Sequence, residues 1–526
     1  SGQVRYDTTA RSTGLPLRAM GDQEFDITKS AHAMTKYAEM VVNPLDIRYC
    51  LEKALYVATH GRPGPCWLDI PLNVQGGYVE TEELRGFNPD ECEEILAPHV
   101  SDDVVDEIID KIKNAERPVF YAGNGIRISG GYDSFTKVVE LLGIPVATCW
   151  DSIDAIYDEH PYYVGRGGIM GDRAGNFAVQ NSDLVFAVGN RLSIRQVGYS
   201  WTTWAREAYV IMNDVDEAEL KKPTLHVDMP VWADAKELLE KLLAKLTKMK
   251  EAGEFKDTLS EKSDWVKRCQ DWKAKYPVVL PKHYEDKNHT NVYAFIKELS
   301  RRLHENQVTV VGNGSACVVG SHGYVIKKGQ RFIINSAIAS MGYDLPAAIG
   351  ATVAEFRDEA LYGRSLGKDI DDVILVTGDG SIQMNIQELQ TIIHHKMPIK
   401  IFIINNQGYH SIRQTQTNLF NKHFVGIGPQ SGDLSFPDMS KLAPAYGYPY
   451  FSCDGNEHLG KAIEDTLAVD GPAICEIFVS TEQNFEPKSA TKRLPDGTLV
   501  SPPLEDLGPF LDREEFYSNM IIKPLS

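Results

Sequence analysis

Two short polar sequences, each at the end of an apolar run, are the residues of this chain best suited to chemistry. GDG (378–380) closes the run VILVTG, and NNQG (405–408) follows the run IKIFII. The Asp379 carboxylate, the Asn406 amide oxygen and a nearby backbone carbonyl would form a partial shell of hard oxygen ligands. Such a shell suits Mg²⁺, which keeps coordination positions for phosphate oxygens and water. Together the two sequences predict a Mg²⁺ site.

The elements around these sequences decide whether the two oxygen ligands can meet. The stretch SIQMNIQELQTII between them places four apolar residues on one helical face, namely Ile382, Ile386, Leu389 and Ile393. Strand, helix and strand form a βαβ unit, whose parallel strands bring their carboxyl ends to one edge of a sheet. Ser381 opens the helix, where unpaired N–H groups and the helix dipole favour an anion. The unit therefore predicts a Mg²⁺-diphosphate site.

The rest of the chain also alternates β-branched runs with amphipathic helical stretches, which is typical of an α/β fold. Further predicted strands are CWLDIPL (66–72), PVFYAGNG (118–125), DLVFAVGN (183–190) and VTVVGNG (308–314). We predict three domains, each a doubly wound parallel sheet, over residues 1–78, 99–247 and 286–480. A linker at 79–98, a helical linker at 248–285 and a tail at 481–526 join and follow them. The charged stretch 245–268 is expected to be a solvated connecting helix.

Composition narrows the classes of partner and location. The chain has 54 Lys and Arg against 73 Asp and Glu, a net charge of −19. Nucleic acids and anionic membranes attract basic surfaces, so we expect neither as a partner. No apolar run approaches the roughly 20 residues that span a bilayer. The eight cysteines include no C-x-x-C pair, which favours a reducing, cytoplasmic location.

The GDG and NN sequences, with the helix and strand between them, resemble the fingerprint of thiamine-diphosphate-dependent enzymes. The resemblance implies that Asp379, the Asn406 side chain and the Gly408 carbonyl hold Mg²⁺. It also implies that one set of residues lines the diphosphate: Gly380, Ser381, Tyr409, His410 and, from the GNGS turn after VTVV, Gly314 and Ser315.

Further segments extend the resemblance towards acetolactate-synthase-like enzymes over nearly the whole chain. SAIASMGYDLPAAIGA (336–351) is similar to the segment that bends the cofactor. There Met341 would wedge between the two cofactor rings, and the Ala339 carbonyl would accept from the pyrimidine amino group. HGRPGPCWLDIPLNVQ (60–75) resembles the end of the pyrimidine-binding domain, and GDRAGNFAVQNSDLVFAVGNRL (171–192) resembles the middle domain. The predicted domain order is thus pyrimidine-binding (incomplete), middle and diphosphate-binding.

The resemblance places the cofactor-activating glutamate upstream of the opening SGQV, outside this sequence. We therefore expect this polypeptide alone to hold thiamine diphosphate and Mg²⁺ weakly and to turn over poorly. A truncated sequence is the favoured explanation; a separate subunit and an inactive paralogue stay open. Gln23 would face the reacting centre, while Glu24 is not the activating acid. Asp22 stands where acetolactate synthases often carry an aromatic residue, which weakens the case for simple pyruvate–pyruvate condensation.

The implied activity is decarboxylation of a 2-keto acid such as pyruvate, followed by acyl-anion transfer to a carbonyl acceptor. The alternatives are a plain 2-keto acid decarboxylase and a non-catalytic partner with this fold. The tail resembles extensions of enzymes in nucleotide-sugar pathways, so the acceptor is either a keto acid or a keto-sugar. FAD in the middle domain stays open, and a homodimer or homotetramer is expected. Within the loop 408–420, Arg413, Gln414 and Gln416 either meet a substrate or stabilise a surface loop.

Overall fold

The computed structural model describes residues 1–254, 263–361, 372–490, 492–493, 496 and 499–525. Within these ranges the strands form one three-stranded sheet, two six-stranded sheets and a two-stranded ladder. All three larger sheets are parallel throughout, and helices connect their strands. The predicted α/β class is confirmed. The strands of the three sheets lie within 1–78, 99–247 and 286–480, while the domain boundaries themselves stay a prediction.

The first sheet is small, with β3 between β1 and β2. Its elements are β1 (Gly2–Gln3), α1 (Ala10–Thr13), α2 (Ile27–Ala31), β2 (Tyr37–Met40), α3 (Ile47–Thr59), β3 (Cys66–Pro71) and α4 (Leu72–Gln75). Its buried cluster is small and consists of Val41, Cys50 and Val74 with a few partly buried neighbours. Apolar side chains such as Phe25 and Leu55 are exposed. This block therefore has apolar surface that its own sheet does not cover.

The second sheet has the strand order β6-β5-β4-β7-β8-β9. Its strands are β4 (Pro118–Ala122), β5 (Val146–Thr148), β6 (Tyr163–Arg166), β7 (Leu184–Val188), β8 (Tyr209–Asp214) and β9 (Met229–Trp232). Its helices are α5 (Asp102–Asn114), α6 (Gly125–Ile128), α7 (Tyr132–Leu142), α8 (Arg173–Gln180), α9 (Ile194–Val197), α10 (Glu217–Leu220), α11 (Ala235–Glu251) and α12 (Ser263–Lys275). Because β4, β7 and β8 are buried along almost their whole length, their sequences are apolar without alternation.

The helical linker corrects one expectation. Helix α12 is not solvated, because Trp265, Cys269 and Trp272 are buried in the core beneath the second sheet. Part of the charged stretch, 255–262, lies outside the described residues. The sequence around α12 is strongly charged, so its composition did not indicate burial. The three apolar residues nevertheless recur at helical spacing and fix the helix to the sheet.

The third sheet has the order β11-β10-β12-β13-β15-β14. Its strands are β10 (Val308–Val311), β11 (Arg331–Ile334), β12 (Val373–Gly378), β13 (Ile399–Asn405), β14 (Tyr450–Asp454) and β15 (Ala473–Phe478). Its helices are α13 (Val292–Arg302), α14 (Ser315–Gly323), α15 (Asp344–Leu361), α16 (Glu388–His394), α17 (His410–Leu419), α18 (Met439–Tyr446) and α19 (Leu459–Leu467). The strand order reverses direction between β10 and β12, which is where ligands bind in open parallel sheets.

The predicted helix between the two polar sequences is divided in the structure. A 3₁₀ turn, Ile382–Asn385, precedes α16. Ile382 and Leu389 are fully buried, as the helical pattern predicts. The turn is tied to the segment before α15, because Asn385 donates from Nδ2 to the Gly342 carbonyl at 2.7 Å. A contact between distant segments thus interrupts the helical pattern read from the sequence.

The tail packs against the second sheet and its helices. It contains β16 (Lys492–Arg493) and β17 (Leu499–Val500), which pair in antiparallel fashion, and α20 (Arg513–Asn519). Leu504 and Phe516 are buried in the same core as α12. The second and third sheets are also joined directly, since the buried Arg166 guanidinium donates to the carbonyls of His322 and Tyr324, both at 2.6 Å. The second block, the third block and the tail are therefore packed together.

Candidate functional site

The carboxyl ends of β12 and β13 bring the two polar sequences to one edge of the third sheet. Gly378 at the end of β12 is in register with Ile404 of β13. The next residue, Asp379, donates its N–H to the Ile404 carbonyl at 3.1 Å. Asp379 and Asn406 therefore follow neighbouring parallel strands at the same edge, as the βαβ pattern predicts.

The Asp379 carboxylate is buried and held by backbone groups of both sequences. Its Oδ1 accepts from the Gly380 N–H at 2.8 Å, and its Oδ2 accepts from the Gly408 N–H at 2.9 Å. Burial raises the pKa of Asp379 to about 7, although the two N–H donors act in the opposite direction. The charge of Arg413 also acts to lower this pKa but does not offset the burial, and a bound cation would add the missing positive charge.

The Asn406 side chain is buried and only half satisfied. Its Nδ2 donates to the Ser315 hydroxyl at 3.0 Å. Its Oδ1 has no hydrogen-bond partner among the described residues. Because buried polar atoms in folded proteins are almost always satisfied, this oxygen indicates a missing ligand. Because the amide is held in this orientation, its oxygen stays free to bind a ligand, and a carbonyl-type oxygen is the kind of atom that binds Mg²⁺.

The turn after β10 lies on the other side of this pair. Gly314 has a φ of 63°, in the left-handed region that favours glycine, and leads directly into α14 at Ser315. The Gly314 N–H is taken by the Asn313 side chain, with 2.7 Å between nitrogen and oxygen. Ser315 is buried, and its hydroxyl contacts Asn406 as described above. The turn, Asp379 and Asn406 thus form one continuous surface, which we call the wall of the site.

Two glycines allow the loops to approach each other closely. A Cβ on Gly380 would lie 2.4 Å from Cε1 of Tyr409, and a Cβ on Gly408 would lie 1.8 Å from the Ile427 carbonyl oxygen. Gly408 also has a φ of 127°. The Ser381 hydroxyl accepts from the Gly342 N–H at 3.0 Å, which connects this wall to the segment 336–343.

That segment places Ala339 and Met341 on the same cavity. Ala339 has a φ of 56°, and its carbonyl accepts from Nδ2 of Asn313 at 2.6 Å. Met341 is partly buried and faces the cavity. The left-handed backbone at Ala339 costs about 1–3 kcal/mol for a residue with a Cβ, which marks the segment as constrained from outside.

His410 begins α17, and both of its ring nitrogens are engaged. Nε2 lies 2.6 Å from the Gln483 carbonyl, and Nδ1 lies 3.4 Å from Nη1 of Arg413. Nε2 therefore carries the proton and donates to the carbonyl, while Nδ1 accepts. Burial lowers the pKa of His410, so the ring is neutral at pH 7. It lines the cavity through the ring itself.

One cavity of about 860 Å³ lies between these elements. It contains every predicted cofactor and metal residue of the third block, from Gly314 to His410. Gln23 is the exception: it is exposed, has a φ of 58° and does not line this cavity. The Glu24 carboxylate accepts from the backbone N–H groups of Ala10 and Met20, at 2.9 and 2.8 Å, and so holds its own loop.

The stretch 408–420 is a helix for most of its length instead of a loop. Arg413 is buried within α17 and donates to the carbonyls of Asn406 at 2.9 Å and Gln407 at 2.7 Å. Arg413 therefore holds the loop 405–408 in place and does not line the cavity. Gln414 lines the cavity, whereas Gln416 bonds Val425. Arg413 and Gln416 therefore stabilise the stretch locally, while a substrate contact of Gln414 stays a prediction.

Three residues that the sequence reading missed also line the cavity. Trp150 comes from the loop after β5, Arg195 from α9, and Lys488 from the segment after β15. The Arg195 guanidinium lies over the Trp150 ring, 5.0 Å from its centroid. None of the three lies in a recognisable motif, because they reach the cavity from separate blocks.

A second cavity of about 950 Å³ adjoins the first, and Trp150 and Arg195 line both. It lies where β4, β7 and β8 end, against Asn124, Gly189 and Asp214. This is the ligand-binding edge of a doubly wound sheet. Arg62 enters it from the first block and pairs with Asp216 at 3.2 Å.

The described residues contain no group of three or more His, Cys, Asp or Glu side chains able to hold a metal ion. The oxygen shell at Asp379 has a single carboxylate and is therefore a different kind of site. Within the same residues, no helix has the length and apolar content needed to cross a bilayer.

Comparisons with known proteins match both larger blocks. Residues 105–242 match the family model "Thiamine pyrophosphate enzyme, central domain", and residues 312–477 match "Thiamine pyrophosphate enzyme, C-terminal TPP binding domain". The acetolactate synthase large subunit of Cyanidium caldarium is 29% identical over 479 residues, covering 89% of this chain and 76% of that protein. A probable acetolactate synthase large subunit of Methanocaldococcus jannaschii is 28% identical, covering 92% and 77%. Acetolactate synthase isozyme 2 large subunit of Escherichia coli is 27% identical, covering 92% and 80%.

Proposed function

The chain belongs to the thiamine pyrophosphate enzymes, and on that basis we propose that it decarboxylates a 2-keto acid such as pyruvate and transfers the acyl unit to a carbonyl acceptor. The observation that carries this proposal is the unsatisfied Asn406 Oδ1 at the same sheet edge as the buried Asp379 carboxylate. Similarity to acetolactate synthase large subunits supports a carboligase over other reactions of the family.

Mg²⁺ is the metal that these residues fit. Asp379, Asn406 Oδ1 and the Gly408 carbonyl would supply one charged and two neutral oxygens, leaving positions for phosphate oxygens and water. The orphaned Asn406 oxygen and the raised pKa of Asp379, which burial causes, are both relieved by a cation at this place. Arg413 donates to the Asn406 and Gln407 carbonyls and so holds the loop in this arrangement.

The remaining predicted residues would hold the organic cofactor. Gly314, Ser315, Gly380 and Ser381 would face the diphosphate, with Tyr409 and His410 beside it, and Ala339 and Met341 would contact the rings. When bound, thiamine diphosphate supplies a thiazolium carbon that adds to a keto group and accepts the electron pair released with CO₂. The neutral His410 ring keeps its proton on Nε2, bonded to the Gln483 carbonyl.

The cavity also has features suited to the substrates. An anionic 2-keto acid needs positive charge, and the Arg195 guanidinium at the cavity wall supplies one such charge. A volume of about 860 Å³ exceeds what a cofactor headgroup and one small keto acid require, which leaves room for an acceptor. Whether that acceptor is a keto acid or a keto-sugar is part of the proposal to be tested.

We further propose that two copies of the chain form the minimal assembly, as a dimer or a tetramer. Gln23 lies outside the cavity, and the first block exposes apolar side chains including Phe25 and Leu55. A second copy would cover that surface and bring its Gln23 to the cavity of its partner. The eight cysteines are all free, which supports a reducing, cytoplasmic location.

The second cavity is the place where FAD would fit, if this chain binds it. It lies at the switch point of the middle sheet and has nucleotide-like dimensions. An absorption spectrum of the protein reconstituted with FAD and then desalted tests this directly. Retained flavin absorbance near the protein's molar equivalent supports the flavin, and its complete loss contradicts it.

The main experiment has a binding arm and a product arm. Calorimetric titration of this polypeptide with thiamine diphosphate should show binding that requires Mg²⁺. Incubation with both, plus pyruvate and either 2-oxobutyrate or a keto-sugar, should then yield a ligated product detectable by mass spectrometry. Acetaldehyde as the sole product would assign plain decarboxylation instead. Failure of thiamine diphosphate to bind at any Mg²⁺ concentration would overturn the proposed site.

A further inference from the structure

Lys488 is a cation of the main cavity that the proposed chemistry leaves without a role. It lies in the segment after β15, far in sequence from the metal-type residues, and it is partly buried. The other cation of the cavity, Arg195, already stacks on the Trp150 ring. Lys488 has no such contact. Among the described residues, its ammonium makes no hydrogen bond or ion pair.

The backbone of Lys488 is fixed on both sides. Its N–H donates to the Gly508 carbonyl at 2.9 Å, and its own carbonyl accepts from the Gly508 N–H at 2.7 Å. The next N–H, from Ser489, donates to the Ile169 carbonyl at 2.8 Å, and Ile169 lines the same cavity. The side chain therefore starts from a held position at the junction of the tail, the second sheet and α17. Such anchoring reduces the entropy lost when a ligand binds.

Among the acids that the structure describes, none neutralises the Lys488 charge. Glu486 is the acid whose charge acts on it, but the Glu486 carboxylate forms an ion pair with Lys282. Burial lowers the pKa of Lys488, with Glu486 acting in the opposite direction. The Lys488 charge in turn contributes, after burial and Arg413, to the low pKa of His410, which lines the same cavity.

A partly desolvated ammonium without a counterion is unfavourable until an anion approaches it. The ammonium is a compact charge with three donors on a flexible stem, so it can donate to carboxylate and phosphate oxygens alike. In a chain of net charge −19, an unpaired cation facing a cavity is a local exception that favours anions there.

We propose that Lys488 is a specificity residue that binds an anionic group, carboxylate or phosphate, of the carbonyl acceptor. This inference rests on the proposed carboligase function. The inference adds a chemical requirement for the acceptor. The acceptor must carry a negative charge that the Lys488 side chain, in the tail, can reach.

The acceptor is a better candidate than the donor for this contact. The carboxylate of a 2-keto donor leaves as CO₂, and an ion pair to it would stabilise the ground state more than the transition state. The anionic group of an acceptor keeps its charge throughout, so binding it positions the carbonyl without raising the barrier.

The test compares Lys488→Met, which removes the charge and keeps the bulk, with Lys488→Arg, which keeps the charge. Each protein is loaded with thiamine diphosphate and Mg²⁺, and dissociation constants are measured by calorimetry or ligand-observed NMR. The charged probes are 2-oxobutyrate and dihydroxyacetone phosphate, and the neutral counterparts are 2-butanone and dihydroxyacetone. We expect Lys488→Met to weaken at least one charged probe about tenfold, the effect of one ion pair. Neutral probes should not change, and Lys488→Arg should retain most of the affinity.

Two controls separate this inference from the function on which it rests. Lys461→Met removes an equal charge from an exposed site on α19 and should leave all probes unchanged. Thiamine diphosphate affinity is measured in each variant; if the wild type does not bind it, the proposed function fails first. If cofactor binding is intact but Lys488→Met binds charged and neutral probes as the wild type does, the role of Lys488 is refuted. A loss confined to methyl acetylphosphonate, a pyruvate analogue, would refute the acceptor assignment by placing Lys488 on the donor.

Discussion

At the scale of single residues, the Asn406 amide is the most informative group in the cavity. Its nitrogen is fixed by the Ser315 hydroxyl, so its oxygen cannot turn to find another partner. A buried oxygen without a partner costs about 1–3 kcal/mol. The chain keeps that unfavourable group at the edge where the Asp379 carboxylate is also buried. The divalent cation that we propose would satisfy both groups.

We predict that Asn406→Ala weakens Mg²⁺-dependent binding of thiamine diphosphate by about tenfold to a hundredfold, because one metal ligand is lost. Folding should be preserved, since the substitution also removes the unsatisfied oxygen. The matched control is Asn418→Ala, an asparagine of the same cavity that is exposed on α17. Calorimetric titration of both variants measures the effect. Equal affinities for Asn406→Ala and the wild type would exclude Asn406 as a metal ligand.

At the scale of elements, α13 and α14 pack through a tyrosine between two buried histidines. The His283 ring stacks on Tyr293 with 4.8 Å between centroids, and the Tyr293 hydroxyl lies 3.3 Å from Nδ1 of His322. Burial lowers the pKa of His283 to about 4 and that of His322 to about 3. Both rings are therefore neutral in the folded protein at pH 5, whereas they would be protonated in the unfolded chain.

This pair predicts a specific pH dependence of stability. The unfolded state binds more protons than the folded state between the unfolded pKa, near 6.5, and the lowered folded values. The stabilisation is therefore fully present above pH 6.5 and is lost as pH falls towards 4. We expect the urea midpoint to decrease over that range and the decrease to be smaller in His283→Gln. Substitution of the exposed His458 by Gln is the control. An unchanged slope in His283→Gln would contradict the prediction.

At the scale of the whole molecule, the tail connects the cofactor cavity to the second sheet. The Glu505 carboxylate is buried, accepts from Gln180 at 2.5 Å and pairs with Arg206 at 2.8 Å. Its neighbour Asp506 pairs with Arg513 near the surface. The same tail presents Lys488 to the cavity, so its attachment affects both stability and the shape of the site.

We predict that Glu505→Ala destabilises the protein by about 3–5 kcal/mol, because Arg206 and Gln180 lose a buried partner. Asp506→Ala, one position further, should cost no more than about 1 kcal/mol, as expected of a surface pair. Melting temperature and the rate of tryptic cleavage within the tail distinguish the two variants. If both changed stability alike, the tail would not be anchored through Glu505.

The amino-acid sequence is sufficient to predict the sheet edge that carries Asp379 and Asn406, because both residues belong to one local βαβ unit. Asp379 and Asn406 follow apolar strands separated by one connection, and a parallel βαβ unit can place them in only one way. The same holds for the strand runs at 118–125 and 308–314, whose burial on both faces requires continuous apolar sequence. Resemblance added Ala339 and Met341 from segment 336–351, and the structure brings both to the same cavity.

The other residues that surround this sheet edge are known only from the three-dimensional structure. Lys488, Arg195 and Trp150 come from different blocks, and their approach depends on packing that no periodicity encodes. Arg413 has the sequence signal of a surface cation, yet tertiary contacts bury it beneath the loop that it holds. The helical linker was misjudged for a similar reason, since Trp265 and Trp272 are fixed by a sheet distant in sequence. Secondary structure follows from neighbours along the chain, whereas a cavity wall is built from residues that meet only after the blocks pack together.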